Sequence, residues 1–127
     1  MSNKRTPTEI KLHQKSRVLE VSFEEETFML PCEYLRVHSP SAEVQGHGPG
    51  QEVLQKGKET VNIVAIEPVG HYAVRLIFDE SHNSGLYNWS LLYELGINRQ
   101  SNWQAYLKRL EQAQHLRLSQ DNDKYMM

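Results

Sequence analysis

At 127 residues, with 39% hydrophobic and 24% charged residues, the chain has the size and composition of one globular domain with its own core. A formal net charge of −2 without any Lys/Arg run argues against broad binding to nucleic acid or to an anionic membrane. The lone cysteine, Cys32, excludes a disulfide within the chain, and the apolar runs are too short to span a bilayer. The start MSNKRTPTEIKL carries charges but no apolar stretch after them, so no signal peptide is expected and a cytoplasmic protein is.

In chain order, residues 1–8 read as a loose polar terminus. Ile10 and Leu12 alternate with polar neighbours, Arg17–Phe23 repeats that period of two, and Thr27–Leu30 follows the charged turn Glu24-Glu25-Glu26. The short loops predict an antiparallel meander. Pro31 opens a helical turn over 32–37, with Leu35 inward, and Pro40 limits its continuation. The stretch Leu35–Gln51, LRVHSPSAEVQGHGPGQ, is a long polar loop holding His38 and His47. A loop of that length in a small domain is functional or disordered.

Val61–Ile66 and Tyr72–Phe78 read as a hairpin turned by Pro68-Val69-Gly70. Asp79–Gly85 reads as a second polar loop. A helix is expected over 88–95, capped by Asn88, stopped by Gly96, and with Trp89, Leu92 and Leu95 on one face. Another is expected over 101–115, with an apolar stripe of Trp103, Tyr106, Leu107, Leu110 and Ala113. Residues 9–118 then form a single domain and 119–127 a frayed tail. The fold class is α+β, a two-layer sandwich in which an antiparallel sheet of about five strands is backed by two to three helices.

The chemistry-bearing residues gather in two stretches, 35–51 and 79–89. His47 and His82, with Asp79 and with His38 or Cys32 as further donors, form a candidate site for a single iron or zinc ion, since imidazole and carboxylate suit both. The bland alternative has the two histidines latch the loops together by hydrogen bonds, and no CxxC or HExxH spacing favours metal. Arg36 offers a bidentate fork for an anion, or a salt bridge to Glu33, Glu43 or Asp79. Ser39 and Ser41 lack a GxSxG elbow and read as turn residues. Gly46, Gly48 and Gly50 lack the Lys-Ser/Thr of a phosphate loop. Cys32 reads as packed, and Tyr87 and Trp89 either as core aromatics with satisfied polar ends or as part of a partner surface.

The segments LRVHSPSAEVQGHGPGQ, EPVGHYAVRLIFDESHNSGLYNWSLLYELG and NWQAYLKRLE, over about residues 9–118, resemble the γ-butyrobetaine hydroxylase-like N-terminal domain family. The resemblance implies a short stand-alone protein and an accessory role. The domain precedes the catalytic part of a 2-oxoglutarate-dependent oxygenase, whose iron-binding set has no counterpart here. Related domains resemble an appendage of P-loop ATPases of iron–sulfur cluster assembly. In the oxygenase, three cysteines and a histidine hold a structural zinc. By register those places fall on Ser39, Ser41, Val44 and His82, and serine and valine do not replace thiolate ligands.

The function expected from these readings is a non-catalytic binding module, docking on another protein of metal or iron–sulfur metabolism. Its working surface is Arg36, Ser39, Ser41, Gly46, His47, Gly48, Gly50, Tyr87 and Trp89. The alternative is a small enzyme with His47 or His82 as general base and Arg36 as anion anchor.

Overall fold

The computed structural model describes residues 6–40, 54–80 and 83–113, the side chains of residues 83 and 84 excepted. The period-two segments at the start form β1 (Glu9–His13), β2 (Val18–Ser22) and β3 (Thr27–Pro31), paired in the order β1-β2-β3, all antiparallel. Alternation puts Leu19, Val21 and Leu30 on the inner face, where each is fully buried, while Glu20 and Met29 face outward. Pro31 then serves as N-cap of α1 (Cys32–Val37) with extended backbone at ψ 145°. Its fixed φ suits that place and its missing N–H costs the helix nothing.

The second sheet contains β4 (Ile63–Val69), β5 (Ala73–Phe78) and β6 (Asn83–Asn88), again antiparallel in chain order. The expected single sheet of about five strands is therefore not what forms: the described strands make two three-stranded sheets. They meet through the core, to which Leu19, Val21 and Leu30 contribute from one side and Ile63, Val74, Leu76 and Phe78 from the other. At their margin the contact runs through side-chain amides instead of a ladder. Gln14 Nε2 donates to the Ile63 carbonyl at 3.1 Å, and Asn62 Nδ2 donates to the Gln14 carbonyl at 2.9 Å.

Three local readings are corrected. β4 runs through Pro68, so the turn is Gly70 to Tyr72, where Gly70 adopts φ 56°. Proline is tolerated there because β4 is an outer strand. The polar stretch before Asn88 is a strand, β6, interrupted by a bulge: Arg75 faces Leu86 and Ile77 faces Asn83, with Gly85 at φ 78° taking up the extra residue. And Gly96 is not a helix stop. It lies inside α2 (Trp89–Ile97), whose C-cap is Asn98.

Asn88 does cap α2, accepting the Leu91 N–H at 2.7 Å. α3 (Arg99–Gln112) follows almost at once and presents Tyr106 and Leu110 to a small second core with Val37 and Leu54. No helix among the described residues is long and apolar enough to cross a membrane.

Gly96 is required by a close approach. A Cβ there would sit 2.5 Å from the Phe28 ring, on the strand that α2 packs against. Helix propensity alone favours Gly→Ala by about 1 kcal/mol, whereas forcing a methyl into a filled contact costs about 1–3 kcal/mol. Gly96→Ala is therefore expected to lower the melting temperature in thermal unfolding, and adding Phe28→Leu to recover part of the loss. A stabilised single variant contradicts the packing described.

Candidate functional site

Every residue of α1 is buried, including the charged Glu33 and Arg36. Arg36 is only 4% exposed, and a buried guanidinium is tolerable only when paired. Its partner is Glu80, just beyond the end of β5: Arg36 Nε donates to Glu80 Oε1. Neither Glu33 nor Asp79 makes that pair, and Glu43 lies outside the described residues. Lys58 Nζ donates to the second oxygen, Glu80 Oε2, at 2.8 Å. Two cations thus share one carboxylate. The Arg36 Nη1 group is buried and has no hydrogen-bond partner among the described residues.

In sequence this cluster flanks both internal stretches that lie outside the described residues. Arg36 lies just before 41–53, Lys58 just after it, and Glu80 directly before residues 81 and 82. Burial pushes the Glu80 carboxyl up, but the hydrogen bonds and charges of Lys58 and Arg36 outweigh it and hold the group below the usual 4.5.

A second set of polar contacts ties α1 to the rest. The fully buried Tyr87 donates its hydroxyl to the Leu35 carbonyl at 2.6 Å, and the buried Ser39 hydroxyl bonds to the Tyr87 oxygen. Burial drives the Tyr87 phenol well above its ordinary value. Tyr34 donates to the Leu95 carbonyl at 2.6 Å and accepts from Asn102 Nδ2 at 3.0 Å. His38 Nδ1 bonds to the Tyr34 carbonyl at 2.9 Å, its ring beside that of Tyr34. Burial, with Arg109 nearby, lowers the His38 pKa from 6.5, so the ring is held neutral.

Of the residues singled out in the sequence, the structure joins Arg36, Ser39 and Tyr87 around the end of α1. Trp89 sits apart, half-buried, its Nε1 donating to the His71 carbonyl at 2.7 Å. Asp79 is exposed and accepts the Asn62 N–H at 3.1 Å. Cys32 is fully buried against Asn62, its Sγ 3.7 Å from Oδ1, and burial pushes the thiol up to about 11. Ser41, Gly46, His47, Gly48, Gly50 and His82 lie outside the described residues.

Among the described residues no group of three or more His, Cys, Asp or Glu is placed to hold a metal ion. The Cys₃His zinc set does not fit either. Ser39, at the first cysteine's place, spends its hydroxyl on Tyr87. His38 directs its Nδ1 to the Tyr34 carbonyl, while the Ser39 hydroxyl is bonded to the Tyr87 oxygen. Glu80, Lys58 and Asn62 were not legible as site residues. The one available signal was that a buried arginine at 36 demands a carboxylate.

The family model for the gamma-butyrobetaine hydroxylase-like N-terminal domain matches residues 10–93. The chain belongs to that family. The match covers both sheets, α1 and the whole Arg36 cluster. Two solution NMR structures are similar to the chain. One is 49% identical with a TM-score of 0.78, covering 89% of this chain and 90% of its own. The other is 51% identical with a TM-score of 0.78, covering 92% and 88%. A crystal structure of a DUF971-family protein of unknown function from Acidithiobacillus ferrooxidans is 39% identical, with a TM-score of 0.60 over 72% of this chain and 92% of its own. No curated protein matches.

Glu80→Gln is expected to cost about 2 kcal/mol or more, because it leaves Arg36 buried without its carboxylate. The pH dependence gives a second reading. Since the folded pKa of Glu80 lies below 4.5, its contribution is complete above that pH and drains as pH falls through the folded value. Urea midpoints measured from pH 6 downward should therefore fall for the wild type and change less in Glu80→Gln. His38 adds a loss beginning below about 6.5 by the same sign, its folded pKa being the lower one.

Proposed function

We propose that the chain is a non-catalytic binding module that receives an anionic group of a partner protein at the end of α1. The observation that carries this reading is the buried Arg36 Nη1, without a partner among the described residues, beside a lysine that shares the same carboxylate. A guanidinium with an open N–H in a dry setting favours a carboxylate or phosphate oxygen strongly. The alternative, a small enzyme with His47 or His82 as general base and Arg36 as anion anchor, rests on two histidines outside the described residues.

The test is a titration of the ¹⁵N-labelled protein with inorganic phosphate and, separately, with acetate. Saturable shifts are expected at the Arg36 Nε–H and at the backbone N–H groups of Lys58 and Glu80. Lys58→Gln, an alteration of a partly exposed side chain, should weaken them several-fold while leaving the fold intact. Shifts spread evenly over the protein, or unchanged in Lys58→Gln, overturn the reading.

The metal form of the same proposal places one iron or zinc ion on His47 and His82, with Asp79 as a further donor, and the partner in metal or iron–sulfur metabolism. Family context alone supports it. Elemental analysis of untagged protein, beside His47→Ala/His82→Ala, decides it. Near-stoichiometric metal lost in the variant is the expected result, and background metal in both removes the ion from the proposal.

A further inference from the structure

The first sheet ends on β3, whose outer side carries no strand among the described residues. The register fixes which backbone groups that side presents. Cys32 N–H donates to the Arg17 carbonyl and Phe23 N–H to the Glu26 carbonyl, so the β2–β3 ladder is bonded at both ends. Between them Leu30 faces Leu19 and Phe28 faces Val21. Because bonded and non-bonded pairs alternate in an antiparallel ladder, Phe28 and Leu30 bond to β2, and Thr27 and Met29 turn both N–H and C=O outward. Pro31 turns out only its carbonyl.

A groove of about 750 Å³ runs along this edge, with Met29 and Pro31 on the strand side and Ile97, Arg99, Gln100 and Trp103 on the helix side. Met29 and Ile97 are 45% and 52% exposed, although both are large and apolar. An open row of backbone donors and acceptors beside apolar side chains is the geometry that an added strand satisfies, backbone to backbone and side chain to wall.

The charges at the two ends differ. Glu24, Glu25 and Glu26 are exposed just before Thr27, and Glu26 accepts the hydroxyl of Tyr93 on the adjoining helix. The exposed Arg99 stands near the other end, beyond Pro31, where Glu33, only 6% exposed, also lines the groove. An antiparallel guest strand meets Arg99 with its first residues and the glutamates with its last.

We infer that the outer edge of β3 docks an extended segment of a partner protein, acidic at its start, apolar at alternate middle positions and basic at its end, by strand addition. The surface is separate from the Arg36 cluster and does not depend on its role.

The probe is the synthetic peptide acetyl-Asp-Val-Thr-Leu-Thr-Lys-amide, with the same peptide carrying Lys first and Asp last as control. In ¹⁵N spectra the first peptide is expected to shift the Thr27 and Met29 amides and to slow their hydrogen exchange. The control should bind about fivefold or more weakly. Met29→Pro removes an outward N–H without removing a ladder bond, as an edge position allows, and should abolish both effects. Ile97→Lys, on an exposed position, should weaken binding without disturbing the strand. Binding that leaves Thr27 and Met29 unaffected, survives Met29→Pro, or ignores the charge order overturns the inference, as does no binding at all. Protection of the same amides that grows with protein concentration without peptide, together with a doubled mass in sedimentation, makes a second copy the occupant and overturns the partner assignment.

Discussion

A charge that cannot reach water organises one end of this molecule. Arg36 sits in a helix with no exposed face, and its pairing with Glu80 is what makes that burial tolerable. The pair reaches across 44 positions of chain. It therefore does more than offset a desolvation penalty. It fixes where β5 ends relative to α1, and through Lys58 it also fixes where the chain returns before β4. Three segments distant in sequence are tied at a single carboxylate.

The tyrosines extend the same logic with neutral groups. α1 is too short to satisfy its own terminal carbonyls, and Tyr87 supplies a donor for Leu35 from the other sheet. Tyr34 works in the opposite direction, leaving α1 to bond the Leu95 carbonyl near the end of α2. Ser39 joins this network at the position where related domains are expected to carry a zinc-binding cysteine. A hydrogen-bonded hydroxyl holds the loop base here, so the end of α1 is organised by directional polar contacts made by side chains of the chain itself.

What could be read in the sequence was what short range determines. Asn88 announced the start of α2, because capping depends on the residues within one turn. β1 to β3 were legible through alternation and short loops. β6 was not, because the bulge at Gly85 breaks the period and its residues are those of a turn. The division into two sheets was hidden as well. Gln14 and Asn62 bridge the margin by side chains, and no local pattern encodes that. In the site, Arg36 was recognisable as a residue needing a partner, but Glu80 was not, since Asp79, Glu33 and Glu43 met the compositional requirement equally well. Gly96 shows the same limit: its chemistry suggested a helix end, while its reason is the Phe28 ring of a distant strand.

Cys32 carries a different consequence. Its thiol is fully enclosed, held protonated, and is the single sulfhydryl of the chain. Thiolate is the species that oxidants and electrophiles attack. The native protein thus presents no reactive thiolate to its surroundings. Oxidation of Cys32 becomes a clock: modified protein accumulates in proportion to the time the strand–helix junction at Pro31 has spent open, so the oxidised fraction in an aged sample records its history of unfolding.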